Sequence, residues 1–115
     1  MRLVRPHRLE PNVLELFYAG GEQIAALRGY AGPQGPEEWL GSMVTRWGSD
    51  VAGLTDLGPA GLLRDVVAAD PEGWLGAAHV ARWGASTALL VKLLDAGERL
   101  PVHFHPNRRF AASHL

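Results

Sequence analysis

There is no cysteine among the 115 residues of this chain. That absence excludes disulfides, thiolate metal sites and cysteine nucleophiles together, and it suits a cytoplasmic setting. Long hydrophobic runs are missing too, since nothing approaches the roughly 18 apolar residues of a membrane span. The opening Met1-Arg2-Leu3-Val4-Arg5-Pro6-His7-Arg8 is charged and has no apolar segment behind it. It therefore reads as a solvated arm rather than a signal peptide. Neither sign of charge dominates: 11 Lys and Arg stand against 12 Asp and Glu, a net charge of -1. Without a basic or acidic excess, neither nucleic acid nor a membrane is an expected partner. What remains is an ordinary globular composition, 47% hydrophobic and 20% charged. It suits one domain over residues 1–115 with a single core.

The chain alternates between strand and helix signals. Val13 to Tyr18 mixes β-branched and aromatic residues and stops at Ala19-Gly20-Gly21, a strand followed by a turn. Ile24 to Gly29 fits a short strand or a helical turn, and 31–36 has the Gly/Pro chemistry of a loop. Glu38 to Trp47 is apolar enough for burial as either strand or helix. Leu62, Leu63, Val66 and Val67 have helical spacing, and Asp70-Pro71 opens a further helix through Trp74 and Leu75. Ala88 to Asp95 is a nearly continuous apolar run, the pattern of a strand covered on both faces. Leu100 to His105 reads as another strand, closed by Pro106, and Asn107 caps a last helix from Arg108 to His114. Trp39-Leu40-Gly41 and Trp74-Leu75-Gly76 look alike, but two copies are too few for a repeat array.

The chemistry-bearing residues cluster late. In Val102-His103-Phe104-His105-Pro106 two imidazoles stand at i and i+2. On a strand they share a face, with Cα atoms roughly 7 Å apart. Neutral imidazoles at that spacing can converge on one divalent ion. The bland alternative is a pair of surface histidines with no ligand. Lys92, alone within Leu89-Leu90-Val91-Lys92-Leu93-Leu94, is the second candidate. An ammonium in such a run needs either a partner or an edge strand from which it reaches water. His7, His79 and His114 show no ligand spacing, and the four tryptophans read as packing residues.

Gly97 six residues before His103 gives Gly-x5-His-x-His, which resembles the first motif of the cupins, although Arg109 and Phe110 stand where a glutamate ligand would follow. A narrower likeness covers Leu89 to Ala96 and then Glu98-x-Leu100-x-Val102-x-Phe104-His105-Pro106. This stretch resembles type I mannose-6-phosphate isomerases (phosphomannose isomerases), whose pattern runs Val/Ile-Lys-x-Leu-Asp, then Leu-Ser-x-Gln-x-His-Pro. His103 takes the family's glutamine position and His105 its histidine position, both zinc ligands there, while Pro101 replaces a serine. Upstream, Glu38-Trp39-Leu40-Gly41-Ser42 resembles the family's Glu-x-Trp-x-Gly-Thr/Ser segment with its Glu–Trp spacing shortened.

The resemblance implies a mainly β fold, part of a cupin-type (jelly-roll) barrel, with a helical insertion over about 61–83. It also implies zinc-dependent interconversion of mannose 6-phosphate and fructose 6-phosphate in carbohydrate metabolism. His103 and His105 would be metal ligands and Lys92 a substrate-facing cation beside the sugar phosphate. The family's glutamate and last histidine ligands have no counterpart before Leu115, so the chain corresponds to the N-terminal part of such an isomerase. A missing C-terminal half or a homo-oligomer would then supply the rest. The competing reading is a non-catalytic cupin-like module that binds a metal or a sugar.

Overall fold

The computed structural model describes residues 5–32 and 34–114. Its sheet has three antiparallel strands in the order β1 (Val13–Leu14), β2 (Glu37–Leu40) and β3 (Val91–Leu94). Val13 pairs with Glu38 and Leu14 with Glu37; on the other side Glu37 faces Leu94 and Leu40 faces Val91. Five short helices accompany the sheet: α1 (Gln23–Arg28), α2 (Leu63–Ala69), α3 (Pro71–Leu75), α4 (Ala77–Trp83) and α5 (Arg108–His114). No helix among the described residues is long and apolar enough to cross a membrane.

Local chemistry accounts for three of the helix ends. Gly29 closes α1 in the left-handed conformation (φ 70°), which an L side chain rarely adopts. The Asp70 carboxylate accepts from the Gly73 N–H and caps α3, with Pro71 at its first position. Asn107 does the same for α5 through the Phe110 N–H. The N-terminus of α1 is held from a distance, because the Asp95 carboxylate after β3 accepts from the Gln23 N–H at 2.6 Å.

The mainly β, partial-barrel expectation is overturned. Strands of two, four and four residues form an open sheet, helices outweigh them, and no barrel closes among the described residues. Two stretches account for the difference. The apolar run from Ala88 to Asp95 is a strand only over β3, and it is largely exposed rather than covered, Leu94 at 68%. Leu100 to His105 joins no ladder, and Pro101 has no N–H to offer one. Alternating hydrophobicity favours a strand but cannot supply the neighbour that completes it. Trp39 lies in β2 and Trp74 in α3, so their similar surroundings in sequence reflect no structural repeat.

The core is correspondingly small: Leu14, Ile24, Trp39, Met43, Leu54, Leu57 and Val67 are its buried apolar members. The radius of gyration, 16.1 Å, exceeds the roughly 13 Å of a compact domain near this length, and the molecule is only 21 Å thick. Burial centres on β2, whose Glu37, Glu38 and Trp39 are all inside.

Candidate functional site

Opposed residues of an antiparallel pair share a face, and the β2–β3 register sets Trp39 against Lys92. Period-two alternation then places Glu37 with Trp39 and Lys92 on one face and turns Glu38 to the other. On the first face Glu37 Oε2 accepts from the Trp39 indole N–H at 2.8 Å and from Lys92 Nζ at 3.1 Å. Its other oxygen accepts a longer bond from the Tyr18 hydroxyl, 3.4 Å. Lys92 Nζ also lies 5.0 Å from the Trp39 ring centroid, within cation–π range.

Burial pushes the Glu37 carboxyl up, but the Trp39 hydrogen bond, Lys92 and the Tyr18 hydrogen bond outweigh it and hold its pKa below the ordinary value. Tyr18 moves upward, through burial first and then through the negative charge and hydrogen bond of Glu37. Glu37 is therefore a structured carboxylate with its charge partner in place. On the opposite face Glu38 is fully buried and both its oxygens accept from Arg28 Nε, at 3.0 and 3.2 Å. Asn12 ties this face to the sheet by donating to the Trp39 and Gly53 carbonyls.

Glu37 and Tyr18 also line a cleft of about 360 Å³, whose walls are otherwise Leu16, Phe17, Leu100, Pro101 and His103. The structure thus brings His103 to the same cleft as Glu37, and through Glu37 to Lys92. Lys92 sits on β3, an edge strand of the sheet, with about a third of its side chain in water and a carboxylate partner. The edge position is that of the solvent-reaching lysine, the alternative to a substrate-facing one in the sequence reading.

His103 and His105 lie side by side with ring centroids 5.7 Å apart and planes at 78°. They are exposed and lie outside any strand among the described residues, in place of the inward-facing barrel strand expected of them. Two imidazoles bound to one tetrahedral zinc hold their centroids roughly 5 Å apart, so this spacing fits two ligand positions. His103 Nδ1 lies 3.3 Å from the Pro101 carbonyl, an interaction that leaves Nε2 for a metal. Among the described residues no group of three or more His, Asp or Glu comes together around a metal position. The pair accordingly carries no third ligand with it among the described residues.

Reading the sequence alone misses Glu37. Glu38 is taken there as the acid of the Glu-x-Trp-x-Gly segment, at the cost of a shortened spacing. Glu37-x-Trp39-x-Gly41-Ser42 restores the spacing, and the structure puts Glu37, not Glu38, beside Lys92. Of the other histidines, His79 Nε2 is 2.7 Å from the Ser86 carbonyl and His114 stacks on Phe110, both local contacts. No protein family, curated protein or solved structure matches this chain.

Proposed function

We propose that this chain contributes the substrate-facing part of a zinc-dependent aldose–ketose isomerase acting on a sugar phosphate, with mannose 6-phosphate and fructose 6-phosphate as the pair. One observation carries the reading. The two separate stretches that resemble that enzyme family lie next to each other as β2 and β3, with the Glu37–Lys92 ion pair between them and His103 across the same cleft.

Isomerisation moves a proton between C1 and C2 through an enediol, and negative charge develops on the substrate oxygens. Zinc at His103 and His105 would polarise the carbonyl as a Lewis acid. Lys92, oriented by Glu37 and by the Trp39 ring, supplies a fixed cation for a phosphate or a developing oxyanion. Phe17, Leu16, Leu100 and Pro101 form the apolar part of the cleft wall. Further metal ligands and the general base must come from outside the described residues or from a second copy of the chain. The proposed setting is the cytoplasm.

A second reading rests on the two-ligand geometry itself. A solvent-exposed histidine pair holds zinc more weakly than the three protein ligands of a catalytic site, which favours a non-catalytic metal- or sugar-binding module. Elemental analysis and a coupled assay for fructose 6-phosphate separate the two. The isomerase reading expects near-stoichiometric zinc, turnover abolished by a chelator, and loss of both in His103→Ala and His105→Ala. Zinc retained by both variants would remove the histidine pair from the site. Bound zinc without turnover would leave the binding module.

A further inference from the structure

A second, larger cleft of about 540 Å³ lies on the β1 side of the molecule, and Leu16 is the one wall residue it shares with the histidine cleft. Arg46 lines it from the loop after β2, together with Glu15 and Gln34. The loop is pinned by its own main chain: the Arg46 N–H donates to the Ala52 carbonyl at 2.7 Å, and Ser49 N donates back to Arg46 at 3.1 Å. The guanidinium is anchored as well, because Nη1 donates to the Glu15 carbonyl at 2.5 Å.

Arg46 Nε, however, is buried and has no hydrogen-bond partner. Buried donors are almost always satisfied, and one left alone beside a cleft calls for a physical reason. With Nη1 engaged, the unpaired side of the fork is the Nε–Nη2 edge. That edge presents two parallel N–H groups at the spacing of two oxygens of a carboxylate or phosphate.

We propose that Arg46 binds an oxyanion on its Nε–Nη2 edge, within the cleft between β1 and the 46–52 loop. Binding turns that edge toward the cleft about the anchored Nη1 and satisfies the orphaned donor. This site is independent of the histidine pair and of the isomerase reading.

The test is a titration of the ¹⁵N-labelled full chain with inorganic phosphate and, separately, with acetate, at constant ionic strength. The Arg46 Nε–Hε resonance, assigned by its disappearance in Arg46→Lys, should move downfield and saturate with at least one anion. The other arginine resonances should stay put. Arg46→Lys, which keeps the charge but loses the fork, should bind at least tenfold more weakly as read from backbone amides around residues 13–16. A His103→Ala/His105→Ala double variant should titrate like the parent, so that failure of the zinc reading leaves this result intact. An Arg46 resonance unmoved by both anions, or all arginines drifting together without saturation, overturns the proposal. Equal affinity in Arg46→Lys does so as well. Should Arg46→Lys fail to fold, sequential assignment of the parent chain identifies the resonance and its titration alone decides.

Discussion

Replacing Lys92 by methionine keeps an unbranched stem over Trp39 and removes the ammonium. That ammonium lies 3.1 Å from Glu37 Oε2 and 5.0 Å from the Trp39 ring centroid. The lysine side chain is 34% exposed, whereas that of Glu37 is only 12% exposed. The pair therefore falls between an exposed bridge, at about 0.2–1 kcal/mol, and a buried one, whose breakage costs about 3–5 kcal/mol. Glu37 keeps the Trp39 indole N–H, which limits the loss. Together with about 0.5 kcal/mol from the ring contact, the variant should be destabilised by about 2 kcal/mol at neutral pH.

The pH dependence follows from the lowered Glu37 pKa. A carboxyl lowered in the folded state contributes stability that is fully present above its unfolded pKa and is lost as pH falls through its folded value. Lys92 is one of the groups that lower it, so the parent loses this contribution on acidification and the variant has less to lose. The deficit should shrink as the pH falls through the lowered folded-state pKa of Glu37, below which the carboxyl is protonated in both proteins. Urea unfolding followed by tryptophan fluorescence at neutral and acid pH measures it. A deficit below about 0.5 kcal/mol at neutral pH, or one that does not change with pH, would refute the reasoning.

Two further substitutions test the frame around the site. Glu38→Gln removes a fully buried carboxylate from Arg28 and should cost about 2–4 kcal/mol, more than Lys92→Met, in the same urea titration. Gly53→Ala introduces a Cβ at φ +102°, where it would meet the Trp39 ring at 2.6 Å and the Val44 carbonyl at 3.0 Å. About 2–3 kcal/mol of destabilisation is expected, together with a changed emission from Trp39; a stability equal to the parent's would show that the loop relaxes freely.

What can be read from a sequence here depends on the range of the interaction. Asp70-Pro71 and Asn107 are seen to start helices because a cap is satisfied within three residues, and the structure shows both side chains accepting the third N–H on. The Leu62, Leu63, Val66 and Val67 spacing corresponds to α2, with Val67 buried. Ile24 to Gly29 leaves strand and helix open, and the helix forms because Asp95, 72 residues from Gln23, accepts the N–H groups that begin it. No local pattern contains that contact.

The candidate site divides in the same way. The residue types, an imidazole pair and a lysine within an apolar run, are visible in the sequence. Their surroundings are not. A one-residue change of strand register exchanges the two faces of a strand, so sequence could not decide between Glu37 and Glu38 as the partner of Lys92. The β2–β3 pairing decides it. Likewise, alternation in Leu100 to His105 is a strand pattern, yet Val102 and Phe104 remain exposed at 97% and 90% because no neighbouring strand accepts them.

By itself, then, the sequence determined the starts of α3 and α5 and the helical spacing of α2, the absence of thiol chemistry and the identity of the imidazole pair, all properties held within a turn or two of chain. Tertiary structure alone decided that the sheet stays open, that Glu37 grips Lys92 above Trp39, and that the two histidines stand in solvent. Each of those depends on which distant segments meet, and a hydrogen-bond ladder or a charge partner exists only once they do.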